Sequence, residues 1–552
     1  MSRAARGGQK LPPGPEYHRR STASMRIPHA ALSALALATA LLTGPAAAAP
    51  GLPSTNVAWQ AAAADADIDR AFAQARAEGK PVLLYWGATW CPPCNQLKAT
   101  FFNRQDFAAL SRSFVAVHVD GDRPGAQKLG RRFKVSGYPT VVLFTPEGAE
   151  ITRLPGEADA AQMMAVLHLG LAGGRPVKNV LADALAGKAL PANEWKMLAF
   201  YSWATDEQQL LPRAEVPETL VRLAVACPAA EAEMQTRLWF KALAASDEGQ
   251  GVKPDAALRA RVVRVLSDAA QARTQMDTFS GSDAAAMVRV MEPDEGGAGR
   301  APLVSAFDLA LRRLEADATL SRGDRMGALY GRVELARLDV PQSAVQVQLP
   351  APLLQDVRAH VARADREIFD GYERQAVITF GASVLGRAGL WAESDALLKA
   401  NLAKSHSPYY LMSQLGGNAR KQGRNDEALS WYAQAFEQSE GPATRLQWGS
   451  GYLSALVDLA PQDAARIEKT ASQLLAEAAR DDGAFEGRSV RSLQRVGTKL
   501  VSWNADGKQA AVLRRLQGQL DGICPKVDVA EGQRAACEAL LKHVAKKAEK
   551  SA

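Results

Sequence analysis

The sequence contains few of the residues that mark a disulfide-stabilised or membrane-spanning protein. Cysteine occurs five times in 552 residues, which is too few for a scaffold held together by disulfides. Beyond residue 42 no apolar run approaches the roughly 18–20 residues that span a bilayer. The fold must therefore rest on buried apolar cores, and a chain of this length is expected to form about three domains.

The sequence also lacks a real excess of charge outside its first 48 residues. The formal net charge is +7, but residues 1–48 carry six basic side chains and one acidic side chain, which leaves 60 basic and 58 acidic residues. A basic pI with this origin says little about the partners of the remaining chain. We therefore expect no nucleic-acid partner.

The N-terminal segment has the pattern of a secretory signal peptide. From Met25, a basic residue is followed by an apolar run over residues 30–42, a Gly-Pro pair and four alanines. The run is shorter than a membrane span, and the alanines form a small-residue cleavage site. We predict that residues 1–49 are a leader cleaved near Ala48 or Ala49 and that the protein is periplasmic. An uncleaved anchor is the alternative.

Residues 57–174 have the strand and helix patterns of an α/β domain. Apolar strands are predicted over 82–86, 114–119 and 141–144 and near Ile151, and helices over 65–78, from Cys91, over 124–134 and over 158–171. This order predicts a parallel pair of strands with a crossover helix, finished by a hairpin. The Gly/Pro-rich residues 173–176 predict a domain boundary.

Beyond residue 174, helix-period patterns continue to residue 549 almost without strand signals. We predict one helical region over 175–350 and a second over 351–549. In the second, Gly389 and Gly423 lie 34 residues apart. Around the second of these glycines, small and large residues resemble the pattern of a tetratricopeptide repeat: Leu415, Gly416, Ala428, Tyr432 and Ala435. An irregular helical array with a coincidental match is the alternative.

Residues 90–94, Trp-Cys-Pro-Pro-Cys, indicate the chemistry. A cysteine at a helix N-terminus meets the positive end of the helix dipole, which favours the thiolate. Cys94 lies one turn along the same helix, within disulfide reach of Cys91. We predict that Cys91 attacks a substrate disulfide and that Cys94 resolves the mixed disulfide. This reaction needs no cofactor other than the Cys91–Cys94 disulfide itself.

Two cysteines at the spacing of Cys91 and Cys94 could instead form half of a zinc site. Zinc needs four ligands, usually from a second pair at similar spacing, and the remaining cysteines stand apart, so we predict no metal. Cys524 and Cys537 flank a Pro/Gly-containing loop between two predicted helices. We predict a structural disulfide there, with two buried thiols as the alternative, and a buried thiol at Cys227.

A second part of the site is predicted just before the third strand. Pro139 follows Gly137 and Tyr138 and precedes Thr140, a position where a cis X–Pro bond would place backbone beside the thiols. Such a bond would leave the backbone of the preceding residue free to pair with an extended substrate. We therefore predict that Trp90, Tyr138, Pro139 and Thr140 bind substrate.

Together these features resemble the thioredoxin superfamily over about a fifth of the chain. The residues that follow the dithiol, Cys-Asn-Gln-Leu-Lys-Ala-Thr-Phe at 94–101, look most like the C-terminal periplasmic domain of the disulfide reductase DsbD. The resemblance implies disulfide reductase or interchange activity. It also implies that Cys91 is the nucleophile, Cys94 the resolving thiol and Pro139 the cis-proline.

Two positions depart from the thioredoxin pattern. Thioredoxins carry a buried Asp on the strand before the dithiol and a buried Lys that partners it, whereas this chain has Tyr85 and Ala116. Losing both avoids leaving one charge unpaired in the core. The change leaves water as the default proton acceptor for Cys94.

The sequence thus predicts a periplasmic thiol–disulfide oxidoreductase. The absence of a histidine between the cysteines favours a reductase over a strong oxidant. Protein thiols and disulfides, a membrane electron donor and a protein bound to the helical region are the expected partners. One alternative is a tetratricopeptide-like interaction or assembly protein whose thioredoxin module has little turnover. The other is a disulfide oxidase or isomerase that uses the same cysteines.

Overall fold

A computed structural model describes residues 57–542, except 136, 157, 207, 247–250, 530 and 531. The leader predicted for residues 1–49 lies outside the described residues, as do the last predicted helical residues, 543–549. The described residues belong to one compact unit. No helix in the described ranges is long and apolar enough to cross a membrane.

Five strands form one mixed sheet with the order β1-β3-β2-β4-β5. They are β1 (Gln60–Ala62), β2 (Val82–Gly87), β3 (Val115–Asp120), β4 (Thr140–Phe144) and β5 (Glu150–Leu154). Strands β1, β3 and β2 are parallel, while β4 and β5 are antiparallel to their neighbours. Strand β2 is buried along its whole length, as expected for a strand whose sheet is covered on both faces.

Helices cover both faces of this sheet. They are α1 (Asp65–Glu78), α2 (Pro92–Leu97), α3 (Gln105–Leu110), α4 (Ala126–Arg132) and α5 (Ala160–Leu171). Helix α2 continues into a π-helical turn over Lys98–Phe102. The predicted α/β order is confirmed, with one addition: strand β1, which the sequence pattern did not predict, pairs with β3.

The rest of the described chain is helical, which confirms the predicted long all-α region. Its helices are α6 (Val177–Leu185), α7 (Ala192–Phe200), α8 (Val216–Ala226), α9 (Ala232–Ala245), α10 (Ala256–Ser267), α11 (Ala269–Thr274), α12 (Asp283–Met291), α13 (Arg300–Ala316), α14 (Arg322–Leu335), α15 (Ala351–Glu367), α16 (Gly371–Arg387), α17 (Trp391–Asn401), α18 (Pro408–Lys421), α19 (Asn425–Gln438), α20 (Pro442–Leu459), α21 (Ala464–Ala478), α22 (Gly487–Trp503), α23 (Ala510–Ile523) and α24 (Gln533–Glu538).

The sheet and the helical region share a core. One cluster of buried side chains runs from Leu143 of β4 and Leu167 of α5 to Val180, Phe240 and Phe307 in helices α6, α9 and α13. The helical region is therefore packed against the α/β domain over an apolar surface, which stabilises the contact between them through the hydrophobic effect.

Consecutive helices pack in pairs where the sequence resembles a tetratricopeptide repeat. Helix α16 packs on α17, and α18 packs on α19. Gly416 of α18 lies under Tyr432 of α19, where an added Cβ would be 2.9 Å from the ring carbon Cδ1. The small residue therefore allows the two helices to approach closely. The assignment to that repeat family stays a prediction.

The two C-terminal cysteines form a disulfide, with Cα atoms 5.6 Å apart. Cys524 directly follows α23 and Cys537 lies in α24, and both are buried in one apolar cluster with Leu516 and Leu520. Cys227 is a free, buried cysteine at the end of α8. Burial raises the pKa of its thiol to about 11, so it is protonated at neutral pH.

Removing the C-terminal disulfide should lower the stability of the folded chain by about 3 kcal/mol, because the unfolded chain loses a constraint on its loop. The two cysteines are 13 residues apart. We expect the double variant Cys524→Ser/Cys537→Ser to unfold at a lower urea concentration, measured by circular dichroism. Cys227→Ser is the control for replacing a buried cysteine. A double variant as stable as wild type would contradict the prediction.

Candidate functional site

The Cys91–Cys94 pair lies at the start of α2, directly after β2. Cys91 is the N-cap residue and forms a disulfide with Cys94, with Cα atoms 5.2 Å apart. Pro92 and Pro93 occupy the first helical turn, where a missing N–H leaves no hydrogen bond unmade. The backbone N–H of Cys94 donates to Sγ of Cys91 at 3.2 Å. Together with the helix dipole, this contact would stabilise a thiolate at Cys91 once the disulfide is reduced.

Asn95 fixes the turn that carries the dithiol. Its side chain is fully buried, and its Nδ2 donates to the backbone oxygens of Thr89 and Cys91, both at 2.8 Å. The dithiol motif alone does not identify Asn95 as a functional residue. The signal was a polar side chain directly after the second cysteine, at a position where the helix faces the core.

The Tyr138–Pro139 peptide bond is cis, and Pro139 is buried directly before β4. The ring of Tyr138 lies edge-on to Trp90, with ring centroids 6.4 Å apart. Thr140 is buried in β4, and its hydroxyl donates to the backbone oxygen of Gly137 at 2.9 Å. The structure thus brings Trp90 and Tyr138 together and turns Thr140 into the sheet. The substrate-binding role of these residues stays a prediction.

Trp90 is enclosed by side chains from the helical region. Its ring stacks on Tyr410 of α18, with centroids 5.9 Å apart, and meets Trp448 of α20 edge-on at 4.9 Å. The guanidinium of Arg488 in α22 lies over the Trp90 ring, 5.1 Å from its centroid, in a cation–π arrangement. Only 9% of the Trp90 surface remains exposed.

Asp122, in the loop after β3, connects the α/β domain to the helical region. Its carboxylate accepts hydrogen bonds from Trp90 Nε1 at 2.8 Å, from the Thr444 hydroxyl and from the Arg488 guanidinium. Burial raises the pKa of Asp122, and Arg488, Thr444 and Trp90 oppose that rise. Local patterns do not identify Asp122, Thr444 and Arg488, because the hydrogen bonds from Thr444 and Arg488 to Asp122 join positions more than 300 residues apart in the chain.

Further polar contacts hold the helices over α2. Gln375 Nε2 of α16 donates to the backbone oxygen of Trp90 at 3.3 Å, and His406 Nε2 lies 3.1 Å from the backbone oxygen of Thr89. Gln96 Nε2 donates to the Ser321 hydroxyl at 2.7 Å. Cys91 is consequently only 3% exposed and Cys94 is fully buried. No local sequence pattern indicates that the chain covers its own dithiol.

Behind the dithiol, Tyr85 occupies the position of the acid that thioredoxins carry. Its ring stacks on His118 of β3 at 4.8 Å, and its hydroxyl finds no hydrogen-bond partner among the described residues. Burial raises the pKa of Tyr85. Burial, with help from Lys98 and Arg123, lowers the pKa of His118 to about 4. Both side chains are neutral at pH 7, so neither is a strong base, and water remains the predicted proton acceptor for Cys94.

Comparison with known proteins agrees with this fold. Residues 68–170 match a family described as a thioredoxin-like domain. The chain is 35% identical over 115 residues to the thiol:disulfide interchange protein DsbD 1 of Pseudomonas aeruginosa, which is 20% of each chain. It is 32% identical over 117 residues to DsbD of Klebsiella pneumoniae, which is 20% of this chain and 19% of that protein. The chain thus spans about a fifth of the length of the curated relatives it matches.

A solved thioredoxin from Thermus thermophilus is 30% identical, with a TM-score of 0.18, and the match covers 20% of this chain and 83% of that one. The family match and the DsbD relatives make the segment of about residues 60–170 a thioredoxin-like domain, homologous to the thioredoxin-like domains of DsbD. A helical region follows it.

Proposed function

We propose that this protein is a thiol–disulfide oxidoreductase whose reactive groups are Cys91 and Cys94. The observation that carries the proposal is the disulfide between these cysteines at the N-terminus of α2. It lies in a domain whose relatives are named thiol:disulfide interchange proteins. A dithiol at this position couples a nucleophilic thiolate to a nearby resolving thiol.

The reductive half-reaction transfers two electrons to the substrate. The Cys91 thiolate attacks one sulfur of a substrate disulfide, the substrate S–S bond breaks, and the departing sulfur takes a proton from water. Cys94 then gives its proton to water and attacks the Cys91 sulfur. The second substrate sulfur leaves as a thiol, and the Cys91–Cys94 disulfide forms. A dithiol donor must then reduce that disulfide, and no other cofactor is needed.

We also propose a direction of electron transfer, a cellular location and partners for this protein. We place the protein in the periplasm because of the leader pattern at residues 1–49. The lack of a histidine between the two cysteines supports the reductase direction. Protein thiols and disulfides and a membrane electron donor are its proposed partners, and the helical region offers a surface for a further protein.

A second candidate is an interaction protein whose thioredoxin-like module has little turnover. The near-complete burial of Cys91, at 3% exposure, favours this candidate, because thiol–disulfide exchange depends on access to the attacking sulfur. In that case the tetratricopeptide-like helices would carry the main function.

Equilibrating the full-length protein with glutathione redox buffers tests the proposed function. We expect the thiols of Cys91 and Cys94 to appear together with a midpoint near about −270 mV, the thioredoxin value. Alkylation of the quenched samples, followed by peptide mass spectrometry, assigns each thiol. The Cys524–Cys537 disulfide should stay oxidised and is the internal control. A midpoint near about −120 mV would favour an oxidase, and a dithiol that does not titrate would contradict the proposed function.

A further inference from the structure

The face of the thioredoxin-like domain that carries the dithiol is covered by the chain's own helices. Trp90 and Cys91 keep only 9% and 3% of their surface exposed, and Pro139 is buried too. Tyr410, Trp448 and Arg488 occupy the space in front of the Trp90 ring. A folded protein that presents a surface disulfide would need that space, because the Cys91 sulfur must contact a substrate sulfur.

One space next to the dithiol stays open. A cavity of about 490 Å³ lies between the Pro92–Pro93 turn and helices α12, α14, α16 and α18. Pro92 directly follows Cys91. Gly156 also lines the cavity and lies against Pro139, since an added Cβ at Gly156 would be 3.3 Å from Cγ of Pro139. The cavity is therefore lined by residues adjacent to Cys91 and Pro139, although neither Cys91 nor Pro139 lines it.

The cavity has the size and walls of a small-molecule site. Its volume lies within the roughly 300–1,000 Å³ of such sites, which combine rings with a few polar groups. The aromatic residues Phe380 and Tyr410 and the hydroxyl-bearing residues Ser280 and Thr379 line it. Gln414 also lines it, and within the described part of the chain its buried Oε1 has no hydrogen-bond partner.

We propose that, with the helices docked, the dithiol reacts with low-molecular-weight disulfides that enter through this cavity, and that the helical region excludes folded protein disulfides. This inference rests on the proposed function and names the substrate class of the same site. Protein partners then react only with a domain from which the helices have moved away.

With a small disulfide RSSR, the exchange balances as follows. The Cys91 thiolate forms a bond to one sulfur, the RS–SR bond breaks, and the first RS⁻ takes a proton from water. Cys94 gives up its proton and attacks Cys91, and the second RS⁻ leaves and is protonated. The dithiol is oxidised and RSSR is reduced to two RSH. A small dithiol, dithiothreitol in the assay, returns the two electrons.

The first test compares a small and a large disulfide on the reduced full-length protein. The small probe is 2-hydroxyethyl disulfide, which is uncharged, because the carboxyl groups of Asp277, Asp283 and Asp324 line the cavity and a charged probe would mix charge with size. The large probe is insulin. Excess reductant is removed, and oxidation of Cys91 and Cys94 is followed by quenching, alkylation and mass spectrometry.

Weakening the contacts between the helical region and Trp90 should change the ratio of the insulin rate to the small-probe rate. Arg488→Ala removes the guanidinium over Trp90, and Thr444→Val removes the hydroxyl that joins Trp90 to Asp122 at nearly constant volume. We expect either variant to raise the insulin rate, relative to the small-probe rate, by about tenfold or more. The intrinsic reactivities of the probes cancel in this ratio. Arg515→Ala, which breaks an ion pair with Glu468 inside the helical region, is the matched control. If Arg488→Ala does not fold, Thr444→Val provides the same comparison.

Narrowing the cavity tests the entry route directly. Gly327 of α14 lines the cavity, and an added Cβ there would lie 3.9 Å from Cε1 of Phe380 and 4.0 Å from Cβ of Ser280. A leucine is therefore tolerated at its Cβ and extends into the space. We expect Gly327→Leu to lower the small-probe rate by about tenfold or more. Gly518→Leu is the matched control, because Gly518 lies in α23 with no neighbouring atom within 4 Å of an added Cβ.

Three outcomes would overturn the inference. In the first, Gly327→Leu reacts with the small probe as fast as Gly518→Leu does. In the second, Arg488→Ala and Thr444→Val raise the rates with both probes by the same factor, which would mean that the helices exclude small and large disulfides alike. In the third, wild type does not react with the small probe although its dithiol equilibrates with the larger glutathione disulfide, so that molecular size does not limit entry. A dithiol that does not titrate at all contradicts the proposed function instead, so the two failures are distinguishable.

Discussion

Replacing Cys91 with serine is expected to lower turnover with 2-hydroxyethyl disulfide by more than about a thousandfold. A serine hydroxyl is not ionised at neutral pH and cannot form the mixed disulfide through which exchange proceeds. Turnover is measured as the rate at which dithiothreitol reduces the probe in the presence of the protein, after subtraction of the rate without protein. A Cys91→Ser variant as active as wild type would place the reaction elsewhere.

Two further variants separate the roles of the cysteines. Cys94→Ala keeps the nucleophile and removes the resolving thiol, so a mixed disulfide between Cys91 and half of the probe should accumulate and be visible in the intact mass. Cys227→Ser is the control, because Cys227 is a free cysteine at the end of α8, in a different part of the chain from α2. We expect it to keep wild-type turnover. Failure of Cys94→Ala to form the adduct would contradict the assignment of Cys91 as the attacking thiol.

Local sequence patterns predict most of the α/β domain. Strand β1 is the exception, and it shows what such patterns do not reveal. Strands β2, β3 and β4 are continuous apolar runs, the pattern of buried strands. Strand β1 is the three residues Gln60–Ala62, which contain no β-branched or aromatic side chain, the residues that favour strands. It is a strand because its backbone pairs with β3 along Gln60–Val117, Ala61–His118 and Ala62–Val119. That pairing is a tertiary interaction.

The same limit applies to the site. The dithiol and Pro139 can be predicted because each lies within a short motif. The burial of the dithiol depends instead on side chains from helices that are distant in the sequence. Trp448 of α20 packs against Trp90, a contact that no local pattern predicts. Arg488 bonds to Asp122 across 366 residues of sequence. Periodicity shows which face of a helix is apolar, but not which surface that face will cover.

A buried arginine in β5 is the other position where we expect a large effect, this time on stability. Arg153 is fully buried. Its Nη1 donates to the backbone oxygens of Lys134 at 2.8 Å and Thr205 at 2.6 Å. Its Nη2 donates to the backbone oxygen of Phe133 and to Glu150 Oε2, both at 3.0 Å. The side chain thus ties the sheet to the segment that follows α7.

Arg153→Met should lower the free energy of unfolding by about 3–5 kcal/mol, because it leaves the buried carboxylate of Glu150 without its cation. The double variant Glu150→Gln/Arg153→Met should recover part of this loss, since an amide costs less to bury than an unpaired charge. Arg515→Ala, which breaks an exposed ion pair, should change stability by less than about 1 kcal/mol. Urea unfolding followed by circular dichroism measures all three. An Arg153→Met variant no less stable than Arg515→Ala would contradict the stabilising role of the Arg153 contacts.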